Sequence, residues 1–111
     1  MKIRPLKTIE KMIPEGTEGV AMQVGIGKAE GAPRFAMRYF TVEPGGATPK
    51  HSHWWEHEVF VAGGKGEVFH GDEAHPIEKG DMVFVEPDEL HQFRNTGDVP
   101  LEFICVVPHP E

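Results

Sequence analysis

The sequence predicts an all-β domain, a sandwich or barrel of short strands with little helix. Three observations predict it. Thirteen glycines and ten prolines among 111 residues recur as punctuation, at Pro44-Gly45-Gly46, Gly63-Gly64, Gly71-Asp72, Gly80-Asp81, Pro87-Asp88 and Gly97-Asp98; these are turn-closing combinations. Between them lie short runs rich in Val, Phe, Ile and Thr, of strand length and composition. No segment carries an extended helical stripe, so βαβ units are disfavoured.

Taken in order, residues 1–18 form an N-terminal arm or strand, and residues 35–107 form the barrel core of one domain spanning residues 1–111. Phe35 to Val42 is the first clear strand, apolar except for Arg38. Glu58 to Ala62, Glu67 to His70 and Asp81 to Val85 follow, each bounded by a glycine or proline turn. Leu101 to Val107 closes the series. A chain of this length buries roughly two-thirds of its unfolded surface, enough for a core without disulfides.

Composition narrows the function. Eighteen acidic residues against eleven basic ones give a formal charge of -7, which repels a phosphate backbone, and no basic stripe offsets it. The longest apolar runs are far shorter than the ~18 residues of a membrane span. The opening Met1-Lys2-Ile3-Arg4-Pro5 lacks the apolar core of a signal peptide. A single cysteine, Cys105, excludes an internal disulfide and fits a reducing cytoplasm. The expected partners are a small molecule and a second copy of the chain, with neither nucleic acid nor membrane.

Histidines supply the chemistry. His51, His53 and His57 share one parity, so on an extended strand they project from one face. His91, after the Pro87-Asp88-Glu89-Leu90 turn, can reach the same point from a second strand. Imidazole suits Zn, Cu, Fe and Ni, and four converging rings would make one metal centre. His53-Trp54-Trp55-Glu56-His57 also reads as H-x-x-E-H, a zinc-peptidase signature, but that chemistry needs a helix, and Pro49 and Val59-Phe60-Val61 flank it. His70, His75 and His109 lie near turns or the terminus, where exposure is the default. Gly25-Ile26-Gly27 lacks the third glycine of a dinucleotide loop.

Residues 45 to 95 resemble the two cupin motifs. The first, G-x5-H-x-H-x3,4-E-x6-G, is met by Gly45, His51, His53 and Gly64, with His57 in the usual glutamate position. The second, G-x5-P-x-G-x2-H-x3-N, is met by Gly80, His91 and Asn95, with Glu86 and Asp88 where proline and glycine are usual. The resemblance implies a small single-domain cupin of the four-histidine subtype, with a cupin-type β-barrel (jelly roll, or double-stranded β-helix). It implies one divalent transition metal ion per chain (Mn, Fe, Ni, Cu or Zn), and in part a homodimer. Several relatives are dioxygenases, and others are isomerases, decarboxylases or binding modules.

Beyond the ligands, parity names a pocket. Phe93 shares the face of His91, and Phe103 shares a face with Cys105 and Val107. Trp55 has the histidine parity and belongs at the mouth. Arg38, facing inward, could hold a carboxylate or enolate oxygen; the outward, structural role is slightly favoured. The expected function is a mononuclear metal-dependent oxidoreductase, dioxygenase-like. The alternatives are a non-redox isomerase or lyase using the metal as Lewis acid and a ligand-binding or metal-sensing module without turnover.

Overall fold

The computed structural model describes residues 1–109. It contains eight strands, β1 (Val20–Ile26), β2 (Phe35–Val42), β3 (His57–Gly63), β4 (Lys65–His70), β5 (Glu73–Glu78), β6 (Met82–Val85), β7 (His91–Arg94) and β8 (Leu101–Pro108). Single 3₁₀ turns at Leu6–Thr8 and Lys28–Glu30 are its helical content among the described residues. The all-β expectation holds.

The strands form two antiparallel sheets, one ordered β1-β2-β8-β3-β6 and one ordered β5-β4-β7. The second sheet is extended by the segment entering β3, because Ala47 bridges Arg94 and His51 bridges His91. His51 N donates to His91 O at 3.1 Å and His91 N to His51 O at 3.0 Å, so the two histidines face each other in register. Thr48 sits one step earlier, its amide donating to Phe93 O at 2.8 Å.

The inner faces of both sheets make one core. Along β3 and β8 burial alternates strictly, with His57, Val59 and Val61 in and Leu101, Phe103, Cys105 and Val107 in. Val42, Val61 and Leu101 are fully buried, and Phe103 stacks on both Phe40 (5.0 Å between centroids) and Phe93 (4.6 Å). Burial of such side chains contributes about 2 kcal/mol each, so this aromatic stack anchors the floor beneath the histidines.

Two strands escaped the sequence reading. β5 carries Pro76 and one buried residue, Ile77, and proline is tolerated there because β5 is the edge of its sheet. β1 is the edge of the other sheet, kinked by a bulge between Val24 and Ile26. The arm over residues 1–18 is tied to it: Gln23 Nε2 donates to Leu6 O and Ile9 O at 3.0 and 2.9 Å, Met12 bridges Met22, and Ile9 is buried.

Two backbone positions explain motif residues. Gly64 has φ +76, and a Cβ there would stand 2.3 Å from Pro100 O, so glycine is required at this close strand crossing. Asp88 occupies the position where the motif has glycine and takes φ 66, a left-handed conformation that a short polar side chain tolerates. Its amide donates to His53 O at 2.7 Å, which ties the β6-β7 turn to the histidine loop.

Candidate metal centre

The four histidines meet, though not as one strand would bring them together. β3 begins at His57, and residues 52–56 form a loop. The single extended strand assumed by the parity argument is not what the chain uses: His51 is held by the bridge to His91, His53 by the Asp88 amide, and His57 by the β3 ladder. No helix spans 53–57, so the H-x-x-E-H spacing lacks the context its chemistry needs.

Ring centroids lie 4.9 Å apart for His51 and His91, 5.0 Å for His51 and His53, 4.5 Å for His53 and His57, and 5.0 Å for His57 and His91. Candidate ligand nitrogens of His51, His53 and His91 lie within 4.8 Å of one another. His57 joins through its Nε2, 2.7 Å from Nε2 of His53.

Hydrogen bonds behind the rings set which nitrogen is free. His53 Nδ1 lies 3.1 Å from Trp55 O and His91 Nδ1 lies 2.8 Å from Glu89 O. A carbonyl can only accept, so each Nδ1 carries the proton and each Nε2 presents a bare lone pair toward the cluster. His57 Nδ1 lies 2.9 Å from the Cys105 thiol. Such backing fixes ring orientation in metal sites.

The electrostatics favour the neutral form of His51, His53 and His57. Burial, reinforced by His53, His91 and Arg38, pushes His57 down to about 3. Burial also lowers His51, with help from His91 and His53, and lowers His53 despite its bond to Trp55. Neutral imidazole is the form that binds metals. Two nitrogens each about 2.1 Å from one ion at a right angle would stand roughly 3 Å apart, close to the observed His53-His57 separation. The donor set therefore fits a divalent transition metal ion, with no carboxylate among its nearest groups.

Above the cluster is a cavity of about 120 Å³, walled by Trp55, Phe93, Phe103 and Cys105 and touched by Arg38. All five residues proposed from sequence line it. Trp55 stacks on the His53 ring at 4.0 Å and 5°. Trp54, by contrast, is 59% exposed. Arg38 points inward, which corrects the outward expectation: its parity puts it with buried Phe40 and Val42, not with exposed Phe35 and Met37. Glu58 is exposed on the opposite face from His57, as strand alternation requires. Sequence reading missed Phe40 and Thr48, which also line the cavity; Phe40 shares Arg38's parity, the signal that could have found it.

The other histidines divide. His70 and His75 are exposed, as expected, and with Glu73 they make a second, surface group able to approach one ion. His109 is half-buried, its Nε2 2.7 Å from Ala32 O, so its expected exposure does not hold.

Comparison with known proteins agrees with this architecture. The polyketide cyclase RemF from Streptomyces resistomycificus superposes with a TM-score of 0.91 at 28% identity, covering 97% of this chain and 79% of that one. Protein SchB from Streptomyces halstedii is 36% identical over 86 residues, 73% of this chain and 62% of its own length. The 1-methylthio-D-xylulose 5-phosphate methylsulfurylase of Rhodospirillum rubrum is 34% identical over 71 residues, 64% of this chain and 46% of that protein. The chain thus spans about half to three-fifths of these two relatives. No helix among the described residues is long and apolar enough to cross a membrane. The sequence model described as Cupin domain matches residues 38–107, so this chain, with its two-sheet barrel and inward histidines, belongs to the cupin family.

Proposed function

We propose that this cupin binds one divalent transition metal ion (Mn, Fe, Ni, Cu or Zn) through His51, His53, His57 and His91 and acts on a small carbonyl compound in the cavity above. One observation carries the reading: imidazoles from two sheets and a loop converge, the candidate ligand nitrogens of His51, His53 and His91 lying within 4.8 Å of one another and Nε2 of His57 lying 2.7 Å from that of His53. When bound, the ion supplies Lewis acidity toward a substrate oxygen. The chain's own residues do the rest. The carbonyls of Trp55 and Glu89 orient His53 and His91, Cys105 backs His57, and Trp55, Phe93 and Phe103 exclude water from the substrate's apolar body. The structural neighbour named as a polyketide cyclase supports carbonyl chemistry, since a polyketide is a chain of ketones.

A dioxygenase reading is the second. The apolar lining favours it, because dioxygen partitions into such a pocket while water does not. The buried thiol of Cys105, 2.9 Å from His57, weighs against it as an oxidisable group beside the reaction. Oxygen uptake during turnover separates the two readings.

Elemental analysis of protein purified without chelating resin tests the centre. One ion per chain is expected, falling sharply in His53→Ala. Full occupancy in that variant, or only trace metal in the wild type, would sink the reading.

We further propose that the chain forms a homodimer through the outer face of the five-stranded sheet. Met37, Phe60, Met82 and Phe84 are 48%, 39%, 82% and 58% exposed there. Register makes this face continuous, since Met37 pairs Val106, Phe60 pairs Ile104 and Met82, and Glu58 pairs Val106 and Phe84. Apolar faces of this kind mark association surfaces. Light scattering is expected to give twice the chain mass, reduced to one by Phe60→Lys with Phe84→Glu; a wild-type monomer would refute it.

A further inference from the structure

Among the described residues, Arg38 is a cation without an anion. Its Nη2 points at Cys105 Sγ at 3.4 Å and its Nη1 at Met22 Sδ at 3.9 Å, both weak acceptors. Its Nε is buried with no hydrogen-bond partner. The guanidinium lies over the Phe40 ring, 5.2 Å from the centroid, and the cavity lining contains no aspartate or glutamate among the described residues. Arg38 is half-buried, and a guanidinium drawn out of water is ordinarily paired. In a chain of formal charge -7, none of the described carboxylates pairs with it.

The missing partner has a definable shape. A guanidinium offers parallel donors that match a planar pair of oxygens. The space beside it is bounded by flat rings, with Phe40 and Phe103 stacked at 12° and Phe93 and Phe103 at 26°. Its volume of about 120 Å³ suits a single ring or a short conjugated chain rather than a drug-sized body.

We propose that Arg38 is the anion-binding residue of the cavity and selects a small, flat, apolar substrate bearing a carboxylate or enolate. The proposal deepens the function above and rests on it for the substrate's second contact, at the imidazole cluster. The grip of Arg38 itself needs no ion.

The test uses the metal-free chain and two probes of one shape, benzoate and benzamide, with dissociation constants from chemical-shift titration. Wild type is expected to prefer benzoate about ten- to hundredfold, the worth of a charge-assisted hydrogen bond. Arg38→Met is expected to lose that preference while loading metal as the wild type does, and Arg38→Lys to keep part of it. Equal binding of the two probes to wild type, or an undiminished benzoate preference in Arg38→Met, would overturn the proposal. Because those arms contain no metal, their failure leaves the metal centre standing; loss of metal in His53→Ala with the preference intact isolates Arg38 from it.

Discussion

His57 Nδ1 stands 2.9 Å from Cys105 Sγ, diagonally across the β3-β8 pair, where Cys105 is opposite Val59. The thiol lies behind the ring whose Nε2 faces the cluster, so it sets the tilt of that ring. Burial raises the thiol despite Arg38 nearby, and it stays protonated. Cys105→Ala is expected to fold, yet to bind metal about ten- to hundredfold more weakly. Competition with a chromogenic chelator measures this, and Cys105→Ser is expected to recover part of it. Unchanged affinity in the alanine variant would mean that the thiol is only filler.

Acid should destabilise the metal-free chain over a defined window. His57 is held at about 3 in the fold against 6.5 when exposed. Between those values the unfolded chain takes up a proton that the folded one refuses, so stability falls as pH drops from 6.5 toward 3. Denaturant midpoints across that range check it. His57→Gln should flatten part of the slope, and an equally steep slope would assign it elsewhere.

Alkali acts at Tyr39. Burial, then its bond to Glu102 at 2.8 Å, raises the phenol from 10.0 to about 12. The folded state keeps a proton that the unfolded state releases, so stability declines between those values. Tyr39→Phe is expected to remove that component in a pH series of thermal melts.

The two left-handed positions respond in opposite directions. Gly64→Ala drives a Cβ to 2.3 Å from Pro100 O at φ +76, and a loss of about 3 kcal/mol or more is expected in urea. Asp88→Gly relieves a residue at φ 66 and is expected to raise stability by up to about 1 kcal/mol, partly offset by the freer unfolded chain. A destabilised Asp88→Gly would show that the aspartate side chain has a role of its own in the turn.

These positions also show how far the sequence could be read. Phe35 to Val42 was legible to the residue, because it is bounded by turns and has strand composition throughout. The direction of Arg38 was not, because both faces of that strand are apolar: Phe40 and Val42 inside, Phe35 and Met37 outside. An outer face built from apolar residues erases the contrast on which alternation depends. β5 was hidden for the opposite reason, since an exposed edge strand with Pro76 has no buried period to display. The histidine set was legible as a motif, but the loop between His51 and His57 was not, because its shape comes from contacts with His91 and Asp88 far along the chain.

The imidazoles come from opposite halves of the barrel: His57 from the five-stranded sheet, His91 from the three-stranded one. An ion gripping both would act as a rivet through the sandwich. Its occupancy would then be readable in the melting curve, since a ligand bound by the folded state alone at a hundred times its dissociation constant adds about 2.7 kcal/mol. A barrel fastened in this way would be most easily prised apart in cells starved of the metal it holds.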